Sequence, residues 1–135
     1  MYIDEPWLLM RWESAHQCVF LEWKAFATSK EFQRALTMAL EIVRARQAAN
    51  LVTDAREMEL VSGEDQRWIR YTWAPLAIAA GLKRIAVVEA KQGLAKFGID
   101  AMFSGRRTTG VQMDSRTFES LADAMTWVDG ARDRA

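Results

Sequence analysis

The sequence predicts an α/β protein, a mixed sheet of about five strands opening with an antiparallel hairpin and covered by about four helices. Three observations carry this. Residues 7–13 and 18–26 are apolar-rich runs separated only by Ser14, Ala15, His16 and Gln17. Residues 28–47 then repeat apolar side chains at helical spacing. From there, short apolar runs at 50–55, 84–90 and 111–118 alternate with helical patterns. One domain suffices for 135 residues, and neither a repeat nor a low-complexity linker divides them.

The hairpin has a preferred register. Setting Glu13 opposite Cys18 puts Leu8, Met10 and Trp12 on one face with Trp23, Leu21 and Val19. Leu9, Arg11 and Glu13 then share the other face with Glu22, Phe20 and Cys18. A slip of one residue would mix the apolar set with the mixed one.

Thr28 and Glu31 have capping-box spacing at the start of the first helix. Phe32, Ala35, Leu36, Ala39, Leu40 and Val43 form its apolar stripe, with Gln33, Thr37, Glu41 and Arg44 opposite. Ser62 is the N-cap of a second helix, followed by the dipole-complementing acids Glu64 and Asp65, and Gly81 ends it. Residues 84–90 are apolar enough to be a strand buried on both sides. Residues 91–103 form a weaker third helix, because Gly93 and Gly98 each cost about 1 kcal/mol relative to alanine. A turn at 105–110 and a strand at 111–118 precede a last helix capped by Ser120 and Asp123. Its stripe is Leu121, Ala124, Met125 and Val128, and residues 130–135 are expected to fray.

Composition narrows the partners. Eighteen basic residues balance eighteen acidic ones, which removes the field that would draw the chain to nucleic acid or an anionic surface. The same neutrality leaves association between copies permitted. Cys18 is the only cysteine and His16 the only histidine, so intrachain disulfides, cysteine metal sites and histidine pairs are excluded. The acids before the first apolar run, and that run's shortness, predict neither a signal peptide nor a membrane span. A cytoplasmic location is the expectation.

The second helix poses the sharpest question, since residues 68–75 carry two tryptophans and a tyrosine. At about 100° per residue, Ile69, Trp73, Leu76, Ala77 and Ala80 fall on one stripe, the core face. Trp68, Tyr71, Pro75, Ile78 and Ala79 lie on another side, and only Arg67 and Arg70 give a polar edge. That second apolar side needs a cover: the third helix, a partner subunit or a bound apolar ligand. Pro75 lacks a backbone donor and is expected to kink or interrupt the helix.

Several phrases resemble the anti-sigma-factor-antagonist-like family of the STAS fold. They are Leu51–Val52–Thr53–Asp54, Trp68–Ile69 with Trp73 and Pro75, Gly81 through Val87, and Phe118 followed by Ala124 and Trp127–Val128. The resemblance spans nearly the whole chain and is closest to a branch of small bacterial proteins without an assigned activity. It implies the fold, and a shared fold does not fix a function. The better-known regulators of that family carry a phosphorylated serine just after an aspartate at the end of the third strand. Here Ala55, Arg56 and Glu57 come after Asp54, so no hydroxyl stands there for such a switch.

Candidate chemistry is sparse. Asp54 ends a strand where crevices of α/β sheets open, with Arg56 and Glu57 in the same loop. It either caps the turn through nearby amides or contacts a ligand. His16 reads as a solvated turn residue, and Arg106 and Arg107 as a solvated loop with some capacity for an anion. No phosphate-binding, dinucleotide or zinc-protease motif is present. The reading is a non-catalytic binding or regulatory module with no metal or cofactor. It would act through the second helix and the loop from Asp54 to Ser62, and form a homodimer through Trp68, Tyr71 and Pro75. The alternative is a carrier or sensor of a small apolar ligand or lipid. Asp54, Arg56, Trp68, Tyr71 and Pro75 are its candidate binding residues.

Overall fold

The structure, a computed structural model, describes residues 2–25, 27–58, 62–89 and 113–133. Six strands form one sheet in the order of the sequence. They are β1 (Tyr2–Glu5), β2 (Leu8–Glu13), β3 (Cys18–Trp23), β4 (Asn50–Asp54), β5 (Arg84–Val88) and β6 (Asp114–Phe118). The first three pair antiparallel through tight turns. From β3 onward the pairing is parallel, which needs crossovers long enough to hold helices. The α/β class and the opening hairpin are as expected, with six strands where about five were expected. The extra one is β1, four residues at the sheet edge whose Asp4 and Glu5 hide it from an apolar-pattern search. An edge strand tolerates such charges, because one side of it faces no neighbour.

The hairpin register is the one the apolar faces require: Leu8 pairs with Trp23, Met10 with Leu21, Trp12 with Val19 and Glu13 with Cys18. Strand alternation then builds two cores, one on each face of the sheet. Leu8, Met10, Val19, Leu21, Trp23, Leu51, Ile85 and Val87 point into the larger one. Cys18, Phe20, Val52, Ala86 and Val88 point into the smaller. β5 is buried on both sides, as its composition implied.

Helix α1 (Ser29–Arg46) starts with the expected capping box, Glu31 N–H donating to Thr28 Oγ1 at 3.1 Å and Thr28 N–H to Glu31 Oε1 at 3.0 Å. It lays Phe32, Leu36, Leu40 and Val43 on the larger core. The next helix, α2, is continuous through three segments: α-helical Gly63–Trp68, π-helical Ile69–Trp73 and α-helical Ala74–Ala79. Ser62 caps it, accepting from Asp65 N–H at 3.1 Å. Gly81 closes it at φ 108°, a conformation that a side chain would strain. The last helix, α3 (Leu121–Asp133), seats Ala124 and Val128 in the smaller core with Leu121 and Met125 at its margin. It runs to Asp133, so most of the tail expected to fray is helical. Those three helices are the ones described. The helix expected at 91–103, with Arg106 and Arg107, lies outside the described residues. Among the described residues no helix is long and apolar enough to cross a membrane.

One buried carboxylate locks α2 to α1. Asp65 is 4% exposed and accepts from Ser29 Oγ at 2.8 Å and Gln33 Nε2 at 3.1 Å. Asp65→Ala removes both acceptors and one acid from the helix N-terminus, so it should lower unfolding stability by about 1–3 kcal/mol. Urea titration should show a lower midpoint at unchanged slope.

Candidate functional site

Three features stand out around β4 and α2. The first is an ion pair at the end of β4. Asp54 is buried, and Arg56 Nε donates to its Oδ1 at 2.9 Å while Nη2 donates to Oδ2 at 2.6 Å. The Arg56 backbone N–H also donates to Oδ1, at 3.2 Å. Asp54 therefore does what its turn-capping reading required. The hydrogen bond and charge of Asp54 raise the Arg56 pKa above the ordinary arginine value, with Glu22 and Glu57 adding to the effect. A raised pKa means the cation's contribution persists throughout the neutral and mildly alkaline range and is lost only as pH climbs through that raised value. The carboxylate and guanidinium neutralise each other, so neither is a poised base or an open anion trap.

The second feature is an apolar cavity of about 30 Å³ between the sheet and the helices. Leu51, Thr53, Ile85 and Val87 form its floor, Trp23, Phe32 and Trp73 its walls, and Met58 its rim. The aromatic walls are fixed in place. Trp23 packs on Phe32 with ring centroids 5.3 Å apart and donates from Nε1 to Thr53 Oγ1 at 2.9 Å. Trp73 Nε1 donates to the Leu36 carbonyl at 2.7 Å, joining α2 to α1 inside the core.

The third feature is the outer side of α2. Tyr71 is 71% exposed and Leu76 45%, with Pro75 also exposed between them. Two expectations need correcting here. Trp68 does not face away with Tyr71; it is half-buried and packs against the larger core. Leu76, expected on the core stripe, faces solvent, while Ala74 is fully buried in its stead and Ala77 is buried as expected. For Leu76 the π-helical segment is the physical reason, whereas Trp68 precedes that segment and lies one regular step from buried Ile69, at the margin of the core face. Ala74 N–H bonds Ile69 C=O, five residues back, which adds a residue to that turn and rotates everything after it. Pro75 comes at once after it, where a regular helix would set its ring against the carbonyl four residues earlier. The widened turn is the interruption expected there.

Of the sequence-derived candidates, Asp54 and Arg56 meet directly, Tyr71 and Pro75 share the exposed strip, and Trp68 joins the core. The cavity residues Trp23, Phe32, Thr53 and Met58 went unnoticed as a set, because they come from four separate places in the chain. His16 is not merely solvated: its Nδ1 lies 2.8 Å from Asp129 Oδ2, tying the hairpin turn to α3. Cys18 is buried in the smaller core. Among the described residues no group of three or more potential metal-ligating side chains comes together. Compared with protein-family models, curated proteins and solved structures, the chain matches none of them.

Asp54→Asn should remove the two-pronged contact and cost about 1 kcal/mol, because the half-exposed Arg56 rehydrates in part. Thermal unfolding of both proteins should show the difference shrinking as salt rises.

Proposed function

We propose that the chain is a non-catalytic binding or regulatory module of STAS-like fold, cytoplasmic, that works through protein–protein contacts of α2. The order of elements, a hairpin and then alternating helices and strands, supports the fold assignment. The observation that carries the function is where the exposed apolar side chains lie. Among the described residues, Tyr71 and Leu76 are the exposed large hydrophobics, and both sit on α2 beside Pro75. Water contact with such a strip is unfavourable, and burying a side chain like Leu76 recovers about 1.5–3 kcal/mol. A rigid aromatic and a proline lose little entropy on docking, which suits them to a recognition surface.

The second copy of the chain is the favoured partner. Zero net charge leaves little repulsion between copies, and a strip on one helix can meet its own image across a two-fold axis. A lipid carrier is less well supported. A cavity of about 30 Å³ holds a few atoms and not an acyl chain.

Sedimentation equilibrium tests this reading. The wild type should dimerise in the micromolar range, and Leu76→Asp should weaken the dimer at least tenfold while leaving the fold unchanged by circular dichroism. A wild type that stays strictly monomeric at high micromolar concentration contradicts self-association.

A further inference from the structure

The cavity beneath α2 has no part in that docking surface, since Ile69 and Trp73 face it from the opposite side of the helix. We infer that it is a binding site for a compact, uncharged aliphatic group of about three heavy atoms.

Size sets the first limit. One water-sized body occupies about 10–15 Å³ by the same measure, so a cavity of about 30 Å³ takes two or three heavy atoms. Chemistry sets the second. Thr53 supplies the hydroxyl among the lining side chains, and its oxygen already accepts from Trp23 Nε1. The other indole donor, on Trp73, is spent on the Leu36 carbonyl. A charged or strongly polar ligand would thus lose its hydration for nothing in return. An ordered water needs two to four polar partners, and these walls do not offer them.

Access is built in as well. Every lining residue is buried except Thr53 and Met58, which are half-buried and mark the mouth. Thr53 lies near the end of β4, between β3 and β5, where its two neighbouring strands would ordinarily leave it covered. The mouth opens at the carboxyl ends of parallel strands, the usual place for ligands in such sheets. Met58, an unbranched thioether, can swing without a fixed shape to lose.

Methyl NMR with xenon and propane as probes, and ethylene glycol as a polar control of similar size, tests the assignment. Both apolar probes should produce saturable shifts in Leu51, Ile69, Ile85 and Val87, spare Val52 and Val88 of the smaller core, and compete with each other. Ethylene glycol should produce none. Ala55→Leu, which adds bulk at the lining, should weaken xenon binding at least tenfold. Met58→Ala, which enlarges the mouth, should admit benzene in competition with xenon, whereas the wild type should not. These two variants act on the same site in opposite directions, so a folding failure in one leaves the other decisive. Unsaturable shifts, or equal shifts in both cores, would mean an ordinary packing void and overturn the inference. Benzene binding to the wild type would overturn its size limit.

Discussion

The indole of Trp73 reaches into the core and donates to the carbonyl of Leu36, and much else is arranged around that contact. A buried indole N–H without an acceptor would cost about 1–3 kcal/mol, so α2 must present Trp73 at one fixed height and angle to α1. Two residues on, Pro75 forbids the regular helical bond that would otherwise continue the turn. The π-helical segment satisfies both demands, because widening one turn keeps Ile69 and Trp73 inward and clears the proline ring. The helix beyond that turn is rotated, and the rotation sends Ala74 inward and Leu76 outward. The exposed strip and the cavity wall are thus two sides of one adjustment.

The same helix is held at its other end by a different force. Asp65 anchors the first turn through Ser29 and Gln33, so α2 is pinned by polar contacts at its start and by an aromatic one at its middle. Its closing turn is set by Gly81, with Leu82 N–H returning to Ala77 C=O at 3.0 Å. A helix fixed at three points makes a stable platform for Tyr71 and Leu76. It also makes a cavity that does not simply collapse, since the walls on either side are tied by their own hydrogen bonds.

Much of the fold was legible in the sequence where one pattern answered one constraint. The hairpin register came from keeping apolar faces together, and the structure pairs Glu13 with Cys18 as that requires. The caps at Thr28, Ser62 and Ser120 came from the chemistry of free amides, and each accepts the bond expected of it. β1 was missed because its acids obscure a four-residue edge strand. The candidate site was legible only in part. Asp54 and Arg56 are adjacent enough to read together, and helical phase alone separates Tyr71 and Pro75 from Ile69 and Trp73. Leu76 turned outward because a constant 100° step does not foresee a turn of different width, whereas Trp68, ahead of that turn, sits at the margin of the core face. Of the cavity, only its place between the aromatic helix and the sheet was legible, as the alternative reading; its lining was not, since Trp23, Phe32, Thr53 and Met58 meet only once the sheet and both helices have assembled.

The rotation within α2 is the claim on which both functional readings rest, and side-chain accessibility measures it directly. Single cysteines at positions 74 and 76, with Cys18 replaced by alanine, can be timed in their reaction with a small thiol reagent under native conditions. The widened turn predicts that Leu76→Cys reacts at least a hundredfold faster than Ala74→Cys. An uninterrupted α-helix would turn position 76 inward and release position 74. The reverse order of rates would therefore contradict the account.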